Sequence, residues 1–290
     1  MKNLSLIFIS FLLIQLNTFA QEWYEQTTGV TTELLSVSAE LWSDKVVWAC
    51  GDSGTIIKTT DGGITWTDVS GNGVPTILTL HSIACRSADL AMVTGAKSSG
   101  SPVYKTTDGG NTWIETFFAN GGYIYDIVFT TAGNFGLQCN PIDGYWRVWW
   151  STNNGDNWEV LSTYPQEGSE TGWNNAVCVV YPLGRHGTNN SRIYSSPTGY
   201  VWSPQPTPGL TNSKAIWFIS YDVGMVGGDG MVFTTDGGSN WKLISVPGTG
   251  DILGITSVLN NWWFVRGSSI YQSTDDGSSW SMVHTAPSGT

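Results

Sequence analysis

An eight-residue pattern, Ser/Thr-x-Asp-x-Gly-x-x-Trp, recurs along this chain and restricts the folds open to it more than any other feature. Four copies are intact: Thr59 to Trp66, Thr106 to Trp113, Thr234 to Trp241 and Ser273 to Trp280. Two are eroded: Ser151 to Trp158 carries Asn153 at the Asp position, and Ser195 to Trp202 carries Pro197 there. The six terminal tryptophans lie 47, 45, 44, 39 and 39 residues apart, a period that suits one four-stranded propeller blade per repeat. The expected fold is therefore an all-β propeller with six four-stranded blades, whose inner strands begin near Leu34, Ile77, Tyr123, Asn174, Lys214 and Asp251.

Each intact copy sits between a short apolar strand, such as Thr55-Ile56-Ile57-Lys58 or Met231-Val232-Phe233, and a following strand, so it reads as a hairpin. The aspartate accepts hydrogen bonds from turn N–H groups, the glycine supplies positive φ, and the tryptophan buries a large apolar face between sheets. Asp61, Asp108, Asp236 and Asp275 are spread around a ring and cannot converge on one ligand, so their expected role is structural. The losses at Asn153 and Pro197 agree with that. We call these turns Asp hairpins.

The pattern resembles the Asp-box, or BNR, repeat of sialidases, sortilin-type receptors and some glycoside hydrolases. Over a whole blade, with Leu34 to Ala39, then Val46 to Gly51, then Gly54 to Gly63, the chain looks most like the photosystem II assembly and stability factor family and its exported bacterial relatives. That resemblance implies a propeller and says little about function, because such repeats serve unrelated tasks. Relatives of this kind commonly have seven blades and close with a mixed blade. An alternative reading therefore uses residues 22–28, where Trp23 leads a strand-like segment, in an extra outer strand on blade six or in an incomplete seventh blade.

Residues 1–20 have the form of a signal peptide: Lys2, an apolar run from Leu4 to Leu16, and Thr18-Phe19-Ala20 before Gln21. The run is too short for a good membrane span, and no cysteine follows it to accept a lipid. The expected product is an exported single propeller domain, residues 21–290, in the periplasm, at the cell surface or outside the cell. A formal net charge of −11 argues against nucleic acid or an anionic membrane as partner. Only 12% of residues are charged, against 16 Trp and 35 Gly, a composition of packed strands and tight turns without sustained helical periodicity.

Aligning the repeats places Cys85 and Cys178 on inner strands and Cys50 and Cys139 on second strands. In an oxidising compartment that relation predicts inter-blade disulfides Cys50–Cys85 and Cys139–Cys178; four small buried thiols are the competing reading.

Binding residues are expected on the face opposite the Asp hairpins. There the segments Asn140 to Trp146, Leu183 to Asn190 and Ser162 to Trp173 depart from the short turns of other blades, and loops on a rigid scaffold commonly carry function. Tyr145, Trp146 and Trp173, with Asp143, Glu170, Arg185 and His186, form the expected patch. No catalytic residues, metal or cofactor are expected. His81, His186 and His284 lie in different blades without ligand spacing, and neither a nucleophile elbow nor a phosphate loop is present. A sialidase-like arginine cluster lacks its first member, since residues 21–58 contain no Arg. The leading expectation is a non-enzymatic scaffold for a protein or glycan partner. The alternative is a glycoside hydrolase of sialidase-like or xyloglucanase-like type, which requires two carboxylates flanking a cleft.

Overall fold

A computed structural model of the chain describes Trp23 and residues 25–286. The expected leader, residues 1–20, lies outside the described residues, as do 22 and 24 of the closing segment. The described chain forms six antiparallel sheets of four strands, each in simple up-and-down order. Blade one holds β1 (Leu34–Ala39), β2 (Val47–Gly51), β3 (Ile56–Thr59) and β4 (Thr67–Asp68). Blade two holds β5 (Leu80–Cys85), β6 (Ala91–Gly95), β7 (Gly100–Thr106) and β8 (Ile114–Asn120). Blade three holds β9 (Ile124–Phe129), β10 (Phe135–Ile142), β11 (Tyr145–Ser151) and β12 (Glu159–Pro165). Blade four holds β13 (Gly172–Val180), β14 (Leu183–Thr188), β15 (Arg192–Ser196) and β16 (Ser203–Pro206). Blade five holds β17 (Ser213–Phe218), β18 (Gly224–Gly228), β19 (Met231–Thr234) and β20 (Lys242–Ile244). Blade six holds β21 (Ile252–Val258), β22 (Asn261–Arg266), β23 (Ser269–Ser273) and β24 (Ser281–Thr285). The six-bladed propeller is thus the observed architecture.

The Asp hairpins join third and fourth strands. In the first, Asp61 accepts hydrogen bonds from the Thr65 N–H (2.9 Å), the Thr65 hydroxyl (2.6 Å) and the Thr59 hydroxyl (2.7 Å), while the Gly63 N–H reaches Thr59 Oγ1 (2.9 Å). These bonds hold the Asp61 carboxyl down at about 2, the Thr65 hydroxyl first among them. Asn153 reproduces part of the arrangement, accepting from the Asn157 N–H (3.0 Å). Blade four, with Pro197, has no carboxylate here; its Gly199 N–H bonds to Ser196 Oγ (2.8 Å) and Trp202 Nε1 donates to the Gly199 carbonyl (2.9 Å).

Adjacent blades share apolar clusters, and there are five: Trp48 with Trp113 between blades one and two, Met92 with Trp149 between two and three, Trp146 with Tyr194 between three and four, Ile193 with Phe218 between four and five, and Met225 with Trp262 between five and six. Among the described residues no sixth cluster joins blade six to blade one. The inner strands pack successively from β1 to β21, whereas β21 does not pack onto β1 in that way. Val37 on β1 is 69% exposed and Val258 on β21 63%. Before β1, the described residues Trp23 and 25–33 clasp this seam and contain no strand. The Trp23 ring lies 6.4 Å from that of His284 on β24, and Gln26 accepts from Trp66 Nε1 (3.1 Å) in blade one.

The disulfide expectation is corrected. All four cysteines are buried free thiols. Side chains alternate faces along a strand, so a one-residue error in alignment reverses direction. Cys50 and Trp48 face blade two, but Leu137 and Cys139 face back to blade two from blade three, while Cys178 faces blade five. Cys139 and Cys178 therefore point away from each other. Cys50 and Cys85 share one cluster, yet Cys50 Sγ meets the Leu80 carbonyl (3.5 Å) and Cys85 Sγ the Ser38 carbonyl (3.4 Å).

Candidate functional site

The expected loop-face patch divides into core and rim. Asp143-Gly144 is a two-residue hairpin turn between β10 and β11, with φ of 54° and 81°, the geometry for which Asp-Gly is suited. Asp143 and Tyr145 are exposed at its tip. Trp146 turns inward and is fully buried, donating from Nε1 to Glu170 (3.2 Å). Glu170 is also buried, accepting from the Glu167 N–H (3.0 Å) and the Tyr194 hydroxyl. Leu183 to Thr188 is strand β14 rather than a loop, so its side chains alternate. His186 enters the blade three–four interface between the hydroxyls of Tyr125 (3.0 Å) and Tyr164 (2.6 Å), and burial pushes its pKa down to about 3. Arg185 points the other way, stacking 3.5 Å over the Phe218 ring and donating to the Tyr221 carbonyl (2.7 Å). Trp173, partly buried, carries the Lys214 ammonium 4.3 Å from its ring centroid. The structure therefore gathers Trp146, Glu170 and His186 into a hydrogen-bonded inter-blade core and separates Arg185 and Trp173 from it.

The open space lies on the Asp-hairpin face. Second strands carry one side chain that reaches toward the next blade just beneath its hairpin. Trp48 does this in blade one, Met92 in blade two, Arg185 in blade four and Met225 in blade five. Met92 Cε and Met225 Cε lie against Gly155 and Gly277, the hairpin glycines of the following blades. Blade three has Gly136 at this position, since Gly136 pairs with Val128 and Trp150 as that register requires. With no side chain to fill it, a cleft of about 280 Å³ opens between blades three and four.

The cleft walls are Val128 and Trp150 from blade three and Val179 and Trp202 from blade four, with Tyr200, 66% exposed, at the rim beneath the eroded hairpin. At its inner end it joins an axial funnel of about 950 Å³, because Asp126, Val128, Val177 and Val179 line both. Trp42, 96% exposed with φ of 69°, stands at the funnel mouth beside Leu41 and Val258. Solvent-facing Tyr181, Ile219, Tyr221 and Leu259 lie on the same face, in hairpin loops. Exposed apolar groups concentrated around concave space mark interaction surfaces.

Among the described residues, Asp126 is the one charged residue lining the cleft. It accepts from Ser82 Oγ (2.9 Å) and from the Val177 N–H (3.1 Å), tying blade three to blades two and four. Burial raises its pKa from 3.8 to about 7. Reasoning from sequence missed this site because its signal is an absence, a glycine at a position filled elsewhere by Trp, Met or Arg. A strict alignment of second strands on the hairpin threonines was the route to it.

No group of His, Cys, Asp and Glu among the described residues is arranged to hold a metal ion. No helix there is long and apolar enough to cross a membrane. No family model and no curated protein matches the chain. Solved structures do. YCF48 bound to a D1 peptide is 21% identical, with a TM-score of 0.66 over 87% of this chain and 82% of that one. YCF48 from Cyanidioschyzon merolae is 19% identical, with a TM-score of 0.65 over 87% and 85%. The GH74 xyloglucanase from Xanthomonas campestris is 16% identical, with a TM-score of 0.60 over 87% of this chain but 45% of the enzyme. These likenesses establish a shared propeller fold.

Proposed function

We propose that this chain is an exported, non-enzymatic propeller that binds an extended segment of a partner protein in the cleft between blades three and four. The observation that carries this reading is the cleft itself, a cavity of about 280 Å³ opened by Gly136 and rimmed by exposed aromatics. Its continuity with the axial funnel suits a chain segment better than an isolated small molecule. That the related fold of YCF48 was captured with a D1 peptide supports a peptide ligand for this architecture. The leader-like residues 1–20 support export, and N-terminal sequencing of the mature protein tests it against a chain still beginning at Met1.

Gly136→Met is the direct test. The glycine has an ordinary backbone conformation, and the nearest atoms to an added Cβ are side-chain atoms of Val128 at 3.3 Å, which must give by a few tenths of an ångström, and Trp150 at 3.8 Å. The variant folds with the cleft filled, as Met92 fills its counterpart. A photo-crosslinker at Tyr200 captures partner protein from the native extract in wild type and loses it in Gly136→Met. A crosslinker at Tyr145, on the opposite face, captures none. Equal capture at Tyr145, or capture at Tyr200 that survives Gly136→Met, rejects the cleft as the binding site.

The hydrolase alternative gains no support from its acids. Glu170 is enclosed in hydrogen bonds, Glu167 pairs with Arg192, Asp251 pairs with Lys214, and Asp229 accepts from the Thr211 and Asn212 N–H groups. Release of sugar from sialosides or plant β-glucans by the purified protein restores that reading.

A further inference from the structure

Resting on that reading of the cleft, we infer what it selects: a partner segment whose lysine or arginine side chain enters the cleft and meets Asp126, with apolar residues flanking it in the funnel and against Tyr200.

The argument begins with a repeated contact along the inner strands. In blade one, Ser36 Oγ accepts the Ile83 N–H of blade two (3.3 Å). In blade two, Ser82 Oγ accepts the Ile127 N–H of blade three (2.9 Å). In blade three the same position is Asp126, which accepts the Val177 N–H of blade four (3.1 Å). A hydroxyl performs this structural task twice, so the task does not require a carboxylate. Placing one there is costly, since burying an acid disfavours its charged form, and the elevated pKa of about 7 records that cost.

The substitution coincides with the one second strand that has a glycine, Gly136, where the others carry a large side chain. Among the described residues no lysine or arginine lines either the cleft or the funnel, where Glu40 is the second acid. When ionised, Asp126 accepts one hydrogen bond on each oxygen and retains a lone pair on each for another donor. The site thus presents a desolvated carboxylate without a cation at the end of an apolar passage. Lysine and arginine fit that shape, with methylene stems for the Val and Trp walls and a charged head for the acid. The net charge of −11 favours approach of a basic segment as well.

The test uses a synthetic library of acetylated heptapeptide amides with Lys, Arg, norleucine, Gln or Glu at the centre and flanks drawn from Leu, Val, Phe and Trp. Binding is measured to wild type, Asp126→Ser, Asp126→Asn and Gly136→Met. Asp126→Ser recreates the solution used by blades one and two, and Asp126→Asn keeps the side-chain shape should the serine leave a void. Lys and Arg peptides are expected to bind wild type about tenfold or more tightly than their norleucine counterparts, as a desolvated charge pair warrants, with Glu weakest. Both Asp126 variants are expected to bring Lys and norleucine within about twofold of each other. Norleucine binding as well as lysine in wild type, with both lost in Gly136→Met, overturns the charge selectivity and leaves the cleft standing. Peptides of every composition binding wild type and Gly136→Met alike removes the cleft, and this inference with it.

Discussion

At the residue scale, Asp126 and His186 hold opposite protonation tendencies within two adjacent blades. Asp126 is raised from 3.8 to about 7 by burial, so the native state keeps a proton that the unfolded chain releases. Its contribution to stability is full below pH 3.8 and is lost as pH rises through about 7, at about 1.4 kcal/mol per pKa unit. His186 is lowered from 6.5 to about 3, so its contribution is present above pH 6.5 and is lost as pH falls toward 3. Between about pH 4 and 6.5 the two slopes oppose each other. Asp126→Asn removes one of them. Its melting temperature is expected to rise steeply from pH 4 to 6.5 where wild type is flat, and to exceed that of wild type at pH 8; parallel curves would show that Asp126 does not titrate there. The four buried thiols make a second residue-scale prediction. Burial raises all of them, Cys85 and Cys178 to about 11 and Cys139 to about 12. Native protein should resist alkylation and melt identically with and without reductant, while denatured protein takes up four labels.

At the element scale, the Asp hairpins are closed by local hydrogen bonds around one carboxylate, and blade four shows that a blade persists without it. Asp61→Ala removes the acceptor for the Thr65 N–H and two hydroxyls at an exposed turn. The expected result is a small lowering of the urea unfolding midpoint, with the remaining blades unchanged, because net hydrogen-bond contributions are modest in water. A loss of folding altogether would give the hairpin a larger role than its contacts support. The strand pattern was legible from the repeats, and inner strands start within a few residues of where the repeats put them. Leu183 to Asn190 was not, because Gly184, Gly187 and the charged Arg185 and His186 disguise a strand whose polar side chains bond to neighbouring blades.

At the scale of the whole molecule, five of six blade junctions carry an apolar cluster among the described residues, and the seam between blades six and one is spanned there by the Trp23 and Gln26 contacts. Stability should therefore be uneven around the ring. In hydrogen–deuterium exchange, amides of β21 and β1 are expected to exchange well before those of β5 and β9, and Gln26→Ala should widen the difference. Uniform protection of all six inner strands would mean that the seam is closed as firmly as the rest.

What the sequence by itself determined was local and periodic: the hairpin chemistry, the six copies of the blade repeat and the strand membership of every cysteine, with a closing seventh blade left open. Those follow from short-range hydrogen bonding and from side chains recurring at a fixed interval. Tertiary structure alone decided which face each side chain occupies, because a shift of one residue along a strand exchanges one blade interface for the other. That is why Cys139 and Cys178 diverge, and why His186 and Arg185 leave the surface for opposite interfaces. It is also why the open site appears at Gly136, where the neighbouring blades set out a space that no side chain fills.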